Sequence, residues 1–360
     1  MKILIPDVHL KYGYVDDLAT ALESRGHRIF WNGDRIFDQN FHPDAILSQW
    51  PEGYIRGLEL TEVDNERVKS IKHILKEKRK RTLIISFVHN VLPRPTKHRK
   101  TNRLLKTLFE VNYSSSHGFI HLGKKSILDF EKQYPQINHG EGLYHLVNHG
   151  LFENLRNVFG TEANLPLKIE ANASQNGNFT IFVPGTIRYW SEISFLLNAF
   201  SQSNLERKRI IIAGGGQLLN GRHPLKWIRR RRIESSSDIQ LFARRLSDEE
   251  LCHCLIKADI VISPRLEATN SGIPYLAATF GKRCIGPEVG NVTEAVKHLD
   301  GLLFDTKKPE SLTKSLETAF AERDTFSMPA QPCPTWNEIA RNIETFLVSL
   351  RNRTFPQSIA

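Results

Sequence analysis

The sequence predicts an α/β chain of two Rossmann-like doubly wound domains facing a cleft, and three observations predict it. The chain opens on a strand, a helix and a second strand: KILIPDV, a helix from Tyr14, then HRIFW. In mid-chain, residues 160–178 are rich in Asn, Ala, Ser and Gly and lose all periodicity. After them, five strand–helix units follow one another. A βαβ opening implies parallel strands, and a long alternation of strand and helix implies a sheet covered on both faces. Ligands in such sheets bind outside the carboxyl ends of the strands, so functional residues are expected just after strands in both halves.

The elements follow in order. Tyr14, Val15, Leu18, Ala19 and Leu22 recur at helical spacing, and Gly26 ends that helix. Residues 43–51 read as a short strand and a turn. Residues 64–81 read as a basic amphipathic helix, with Val68, Ile71, Ile74 and Leu75 on its apolar side. Lys69, Lys72, Lys76, Lys78, Arg79, Lys80 and Arg81 occupy its other faces. RTLIISFVHNV is a buried strand ending at His89, followed by a second basic run from Arg94 to Arg103. Residues 118–122 and 144–149 are short strands. Beyond 160–178, read as a linker, strands NFTIFVPG, RIIIAGG, IQLFA, DIVISP and CIGP alternate with helices near 191–203, 220–232, 248–257, 271–280 and 291–298. A last helix, about 335–351, follows a proline-rich stretch. The domains are therefore placed at 1–165 and 166–334, with a C-terminal helix and tail at 335–360.

The chain has 360 residues with 40% hydrophobic content, enough for two cores and too much for a largely disordered chain. Its net charge of +10 favours polyanionic partners: nucleic acid, an anionic membrane face or phosphorylated substrates. The basic runs lack interleaved aromatics and no nucleic-acid module is present, so nucleic acid is set aside. The N-terminal apolar run is too short for a signal peptide and Asp7 interrupts it. No stretch reaches the length of a spanning helix. A cytoplasmic protein is expected, with four cysteines and no disulfide framework. Cys252-His253-Cys254 lies in a helical segment with no second ligand pair nearby, so buried thiols are expected there and not zinc.

The chemistry concentrates in residues 264–294, PRLEATNSGIPYLAATFGKRCIGPEVGNVTE. A strand end leads to Glu267, then to Asn270-Ser271-Gly272 at a helix start. Backbone N–H groups there suit an anion, Gly272 lets a phosphate approach the backbone, and Glu267 can accept hydrogen bonds from sugar hydroxyls. GPEVGNVTE repeats the strand–turn–helix pattern. No Asp-x-Asp occurs, so no metal is expected against a diphosphate. Leaving-group stabilisation would fall to Arg and backbone dipoles.

This segment resembles the donor site of family-4-like glycosyltransferases, and other segments resemble the same enzymes in the same order. They are GYVDDLATALESRGH (13–27), ILSQWPE (46–52), SFVHN (86–90), NHG (148–150), GTIRYW (185–190) and TWNEIA (335–340). The resemblance implies the GT-B fold, with an N-terminal acceptor domain, a C-terminal nucleotide-sugar domain and a last helix returning to the N-terminal domain. It also implies roles. His89 would contact the donor sugar and Arg188 the diphosphate, with Glu267 on the sugar. Asn270, Ser271 and Gly272 would hold phosphate, and Glu294 would lie near the nucleotide. Gly185 and Gly214 would close the first strand ends of the donor domain, and Gly13, Tyr14 and His149 would lie on the acceptor side. Two departures stand out: the family's second glutamate falls near Leu276, and no Lys follows Arg188, where Arg265 or Lys282 could assist.

The implied activity is retaining transfer of a hexose from a nucleotide-diphosphate sugar to a glycan or polyprenyl-diphosphate-linked acceptor, in cell-surface polysaccharide synthesis. No cofactor is implied beyond the donor substrate. The paired basic runs suggest peripheral docking on the anionic inner face of the plasma membrane. A sugar-nucleotide epimerase on the same fold, and a degenerate transferase-like binding protein, are the rivals.

Overall fold

The computed structural model describes residues 1–55, 64–94, 96, 98–140, 142–160, 178–214, 216–220, 224–330 and 332–356. The expected linker 160–178 lies, apart from its end residues, outside this set, as do residues 221–223 of an expected helix. The chain forms two compact units, Met1–Gly150 with Pro334–Ala360, and Leu151–Cys333.

The first unit is a parallel six-stranded sheet. Its strands are β1 (Lys2–Ile5), β2 (Arg28–Trp31), β3 (Ala45–Ser48), β4 (Leu83–Val88), β5 (Gly118–His121) and β6 (Tyr144–Leu146), in the spatial order β2-β1-β3-β4-β5-β6. Both faces are covered. Ile3, Ile5, Ala45, Leu47, Leu83 and Ile85 point to one side, under α1 (Tyr14–Ser24) and the last helix. Leu4, Ile46 and Ile84 point to the other, under α2 (Asn65–Lys78) and α3 (Arg99–Ser115). Every residue of β3 and β4 is buried, which explains their unbroken apolar runs. α3 was hidden in the sequence because its first turn is the basic run. Its apolar stripe, Leu104, Leu105 and Leu108, begins only afterwards. α4 (Lys124–Gln133) also went unforeseen.

The second unit begins with α5 (Glu153–Phe159) and holds β7 (Phe179–Val183), β8 (Lys208–Ala213), β9 (Ile239–Phe242), β10 (Ile260–Ile262), β11 (Arg283–Pro287) and β12 (Leu302–Phe304). Their order is β12-β11-β10-β7-β8-β9, all parallel. The helices are α6 (Trp190–Gln202), α7 (Gly216–Leu219), α8 (Pro224–Glu234), α9 (Asp248–Lys257), α10 (Ile273–Thr279), α11 (Val292–His298) and α12 (Pro309–Ala321). β12 and α12 form a sixth unit that the sequence reading missed, because β12 has only three residues.

The final helix α13 (Trp336–Thr354) returns to the first unit, as the resemblance implied. Ile339, Ile343, Leu347 and Leu350 join the core of α1 and the sheet. Thr335 caps it, its hydroxyl accepting from the Glu338 amide at 3.2 Å. Among the described residues no helix is long and apolar enough to cross a membrane.

Candidate functional site

In an open parallel sheet the crevice opens where neighbouring strands send their connections in opposite directions. In the second unit that point lies between β7 and β10. The chain leaving β7 carries Gly185 and Arg188, and the chain leaving β10 carries Arg265 and Glu267. One side chain organises both arginines. Glu192 is 2% exposed in the first turn of α6. Its Oε2 accepts from the amides of Arg188, at 2.7 Å, and Tyr189, at 3.2 Å. Its Oε1 lies 3.9 Å from Nη1 of Arg265. A buried carboxylate costs much free energy unless amides and a cation satisfy it. The arrangement therefore fixes the backbone at Arg188 and holds Arg265 beside it. Glu192 was missed in the sequence, although WSE at a helix start carries the capping-box spacing.

The loops around this point approach closely enough to exclude side chains. Gly214 has φ +115°, and a Cβ there would lie 2.1 Å from the carbonyl oxygen of Gly185. Gly290 does the same on the far side: a Cβ would meet the Ala268 oxygen at 2.2 Å. The Asn291 amide donates to the carbonyl of Thr269, at 2.8 Å, and its side chain donates to Oδ1 of Asn270, at 2.7 Å. The Glu267–Gly272 loop is thus clamped to the turn before α11. Glu267 is exposed, Asn270, Ser271 and Gly272 are half-buried, and Glu294 is exposed on the first turn of α11. Ser271 Oγ accepts from the amide of Ile273 at 3.3 Å.

Beside Gly185 and Gly214 lies a cavity of about 430 Å³, lined by Thr186, Ile187, Arg244, Arg245, Leu246 and Leu251 among others. It joins apolar side chains to a few polar and charged groups, as small-molecule sites do. Arg244 grips Glu250 with two bonds of 2.6 Å and holds that carboxyl down at about 2.

Lys282 does not join this group. It precedes β11, so it sits at the amino edge of the sheet. Its ammonium donates to the carbonyl of Ile256 at 3.0 Å, and burial lowers its pKa. Counting along the sequence placed it near the site; the direction of the strand removes it. Leu276, where the family's second glutamate was counted, is buried in α10.

In the first unit the corresponding point lies between β1 and β3. His89, just beyond β4, is buried. Its Nε2 pairs with Oε1 of Gln49 at 2.8 Å, and its ring stacks on Trp50 at 4.5 Å. Burial, with His149 and Arg94 nearby, pulls its pKa down to about 3, so the ring is neutral at pH 7. With Nε2–H donated to Gln49, Nδ1 keeps its lone pair. Gly13 caps α1, its carbonyl accepting from Asp17 at 3.0 Å. Tyr14 lies edge-on to His89 at 5.4 Å, 4.7 Å from His149 and 5.2 Å from Trp336. His149 Nδ1 donates to the Gly150 carbonyl at 2.6 Å, and burial holds its pKa at about 4. Asp7, read in the sequence only as an interruption of an apolar run, is 2% exposed at the end of β1. Gln49 and Trp50 were not foreseen as neighbours of His89, because no sequence spacing links the ends of two different strands.

Among the described residues no cluster of three or more His, Cys, Asp or Glu side chains could hold a metal. Cys252, His253 and Cys254 are all buried, and burial raises both thiols to about 12.

A family profile described as glycosyl transferases group 1 matches residues 166–332. That match lies within the second unit. Solved structures share the two-domain GT-B fold across the chain. Anabaena Alr3699/HepE, solved with UDP-glucose, is 15% identical with a TM-score of 0.60, covering 98% of each chain. Sucrose-phosphate synthase from Thermosynechococcus elongatus is 13% identical with a TM-score of 0.56, covering 98% of this chain and 96% of its own. A Listeria monocytogenes protein assigned as a UDP-N-acetylglucosamine 2-epimerase is 12% identical with a TM-score of 0.58, covering 99% and 97%. At these identities the likeness is one of fold. No match was found among curated proteins. In the second unit, the crevice with Arg188, Arg265 and Glu267 is the region where the fold places a ligand.

Proposed function

We propose that the protein transfers a hexose from a nucleoside diphosphate sugar to a glycan or polyprenyl-diphosphate-linked acceptor, without a metal ion and with retention, in cell-surface polysaccharide assembly. One observation carries this reading: a buried glutamate that accepts from the Arg188 amide and faces Arg265, at the switch point of the unit that matches the group 1 glycosyltransferase profile, beside a cavity lined by apolar side chains and a few polar and charged groups. The base would occupy the cavity. Arg188 and Arg265, with amides of the Ser271–Gly272 loop, would hold the diphosphate and stabilise it as it leaves. Glu267 would accept from sugar hydroxyls, with Asn270 holding the loop. Neutral His89 would contact the donor sugar. The departing phosphate would take the acceptor's proton, so no separate base is needed. Gly13, Tyr14 and His149 would border the acceptor, and Glu294 the nucleotide.

Calorimetry with UDP, GDP and ADP in chelator is the test: binding that survives removal of divalent ions is expected. Binding only with Mn²⁺ or Mg²⁺ would refute the metal-independent site. The Listeria neighbour favours epimerisation as the second reading. Product analysis separates the two, since an epimerase returns an altered nucleotide sugar without any acceptor.

A further inference from the structure

The run Arg229–Arg232 found no use in the donor site, and its surroundings give it one. α8 is an 11-residue helix attached through a single fully buried side chain, Ile233. Leu225, Trp227 and Ile228 are 54, 57 and 53% exposed. Large apolar side chains left open together on one short helix mark an interaction surface. Leu225, Ile228 and Arg232 share one stripe, spaced three and four residues apart. Trp227 and Arg231, four apart, lie beside it, with the guanidinium 5.0 Å from the indole. Arg229 stacks on Trp190 at 4.7 Å, tying α8 to the start of α6. Arg230 pairs with Glu234, the only acid in the helix. Arg231 and Arg232 have no acidic partner among the described residues. The exposed face is therefore apolar in its first turns and cationic in its last.

We propose that α8 docks the protein on an anionic lipid bilayer. A polyanion such as nucleic acid would engage the arginines and leave Leu225 and Ile228 in water. The headgroup–acyl boundary accepts both kinds of side chain at once, and tryptophan favours that depth. α2 offers the contrast. Lys69 and Lys80 pair with Glu66 and Glu77, and Lys78 donates to the carbonyls of Asp38 and Phe41. None of its large apolar side chains is exposed. α8 connects β8 to β9, so it runs antiparallel to the strands, and its apolar first turns lie at the carboxyl edge of the sheet. That is the edge holding Arg188 and Arg265. Docking here would bring the crevice edge to the lipid surface, where a lipid-linked molecule would be met. The inference stands on α8 itself and does not require the transferase reading.

The full chain would be sedimented with phosphatidylcholine vesicles, with and without phosphatidylglycerol, at low and high salt. Binding should require the anionic lipid and weaken as salt rises. Arg231→Glu with Arg232→Glu should weaken it by about thirtyfold or more, at roughly fivefold per charge removed. Trp227→Ser with Ile228→Ser should weaken it at every salt concentration, and UDP binding should be unchanged in both variants. The proposal is overturned if both α8 variants bind vesicles like the parent protein. It is equally overturned if neutral vesicles bind as well, if only Lys72→Glu with Lys76→Glu abolishes binding, or if Trp227→Ser with Ile228→Ser weakens RNA binding and leaves vesicle binding intact.

Discussion

The two units answer the same architectural problem with different strand orders and different side chains. Counted within itself, the second unit reads 3-2-1-4-5-6, with two strands laid outward before the chain crosses back. The first reads 2-1-3-4-5-6, crossing one strand earlier. Either order leaves its crevice beside the first strand. The furnishing of the two crevices differs more than their topology. The second unit offers cations and bare peptide: Arg188, Arg265 and glycine loops packed too tightly for a Cβ. The first offers neutral rings: His89 on Trp50, with Tyr14 and His149 against Trp336. Eleven of the fourteen histidines belong to the first unit and all four cysteines to the second. The units should therefore respond to different perturbations. A six-stranded parallel sheet can hold an anion site or an uncharged polar site, depending on the residues just after the strands.

Acidification should separate them most. His89 and His121 are held near 3 and His149 near 4, chiefly by burial, against 6.5 for a free side chain. Their folded-state pKa values are depressed. The unfolded chain therefore takes up protons that the folded chain refuses, and stability present above about pH 6.5 is lost as pH falls toward 4. Each such histidine costs about 1.4 kcal/mol per pH unit in that window. Hydrogen exchange followed from pH 7 to 4.5 should show the first unit opening first. Earlier opening of the second unit would break the comparison.

Trp336 tests whether the C-terminal helix belongs energetically to the first unit. Its indole is packed so closely against Gly150 that a Cβ there would lie 2.7 Å from Cε2. Trp336→Ala should cost about 3–5 kcal/mol. In calorimetry the first unit's transition should fall while the second's stays in place. A parallel fall of both would show that the two units melt as one.

The smallest effect sharpens the roles within the second crevice. Arg188→Ala should weaken both the nucleoside diphosphate and the donor sugar by about ten- to a hundredfold, the worth of roughly 1.5–3 kcal/mol in hydrogen bonds to a charged group. Glu267→Ala should slow transfer by a similar factor and leave diphosphate affinity alone, because that ligand carries no sugar. Equal loss of diphosphate affinity in both variants, at unchanged melting temperature, would take Glu267 off the sugar.

Much of this molecule was written in local pattern. Buried strands announce themselves as apolar runs, as LIISFV and FTIFV do, because both faces of a parallel sheet need apolar side chains. Glycines before helices marked the loops, and the order of short motifs along the chain indicated the GT-B fold. Elements whose pattern was too short or overlaid by charge stayed hidden: β12 has three residues, and α3 starts inside a basic run. What the tertiary structure alone decided was direction and neighbourhood. Lys282 stands a few residues from the site in sequence, yet β11 carries it to the opposite edge of the sheet. Glu192 stands in the first turn of α6, and only the fold sets it against Arg265, 73 residues away in sequence. Gln49 and His89 come from two strand ends, and only pairing of those strands makes them neighbours. Periodicity records what a residue's own element needs. The chemistry of a crevice depends on which elements meet there, and no local spacing encodes that.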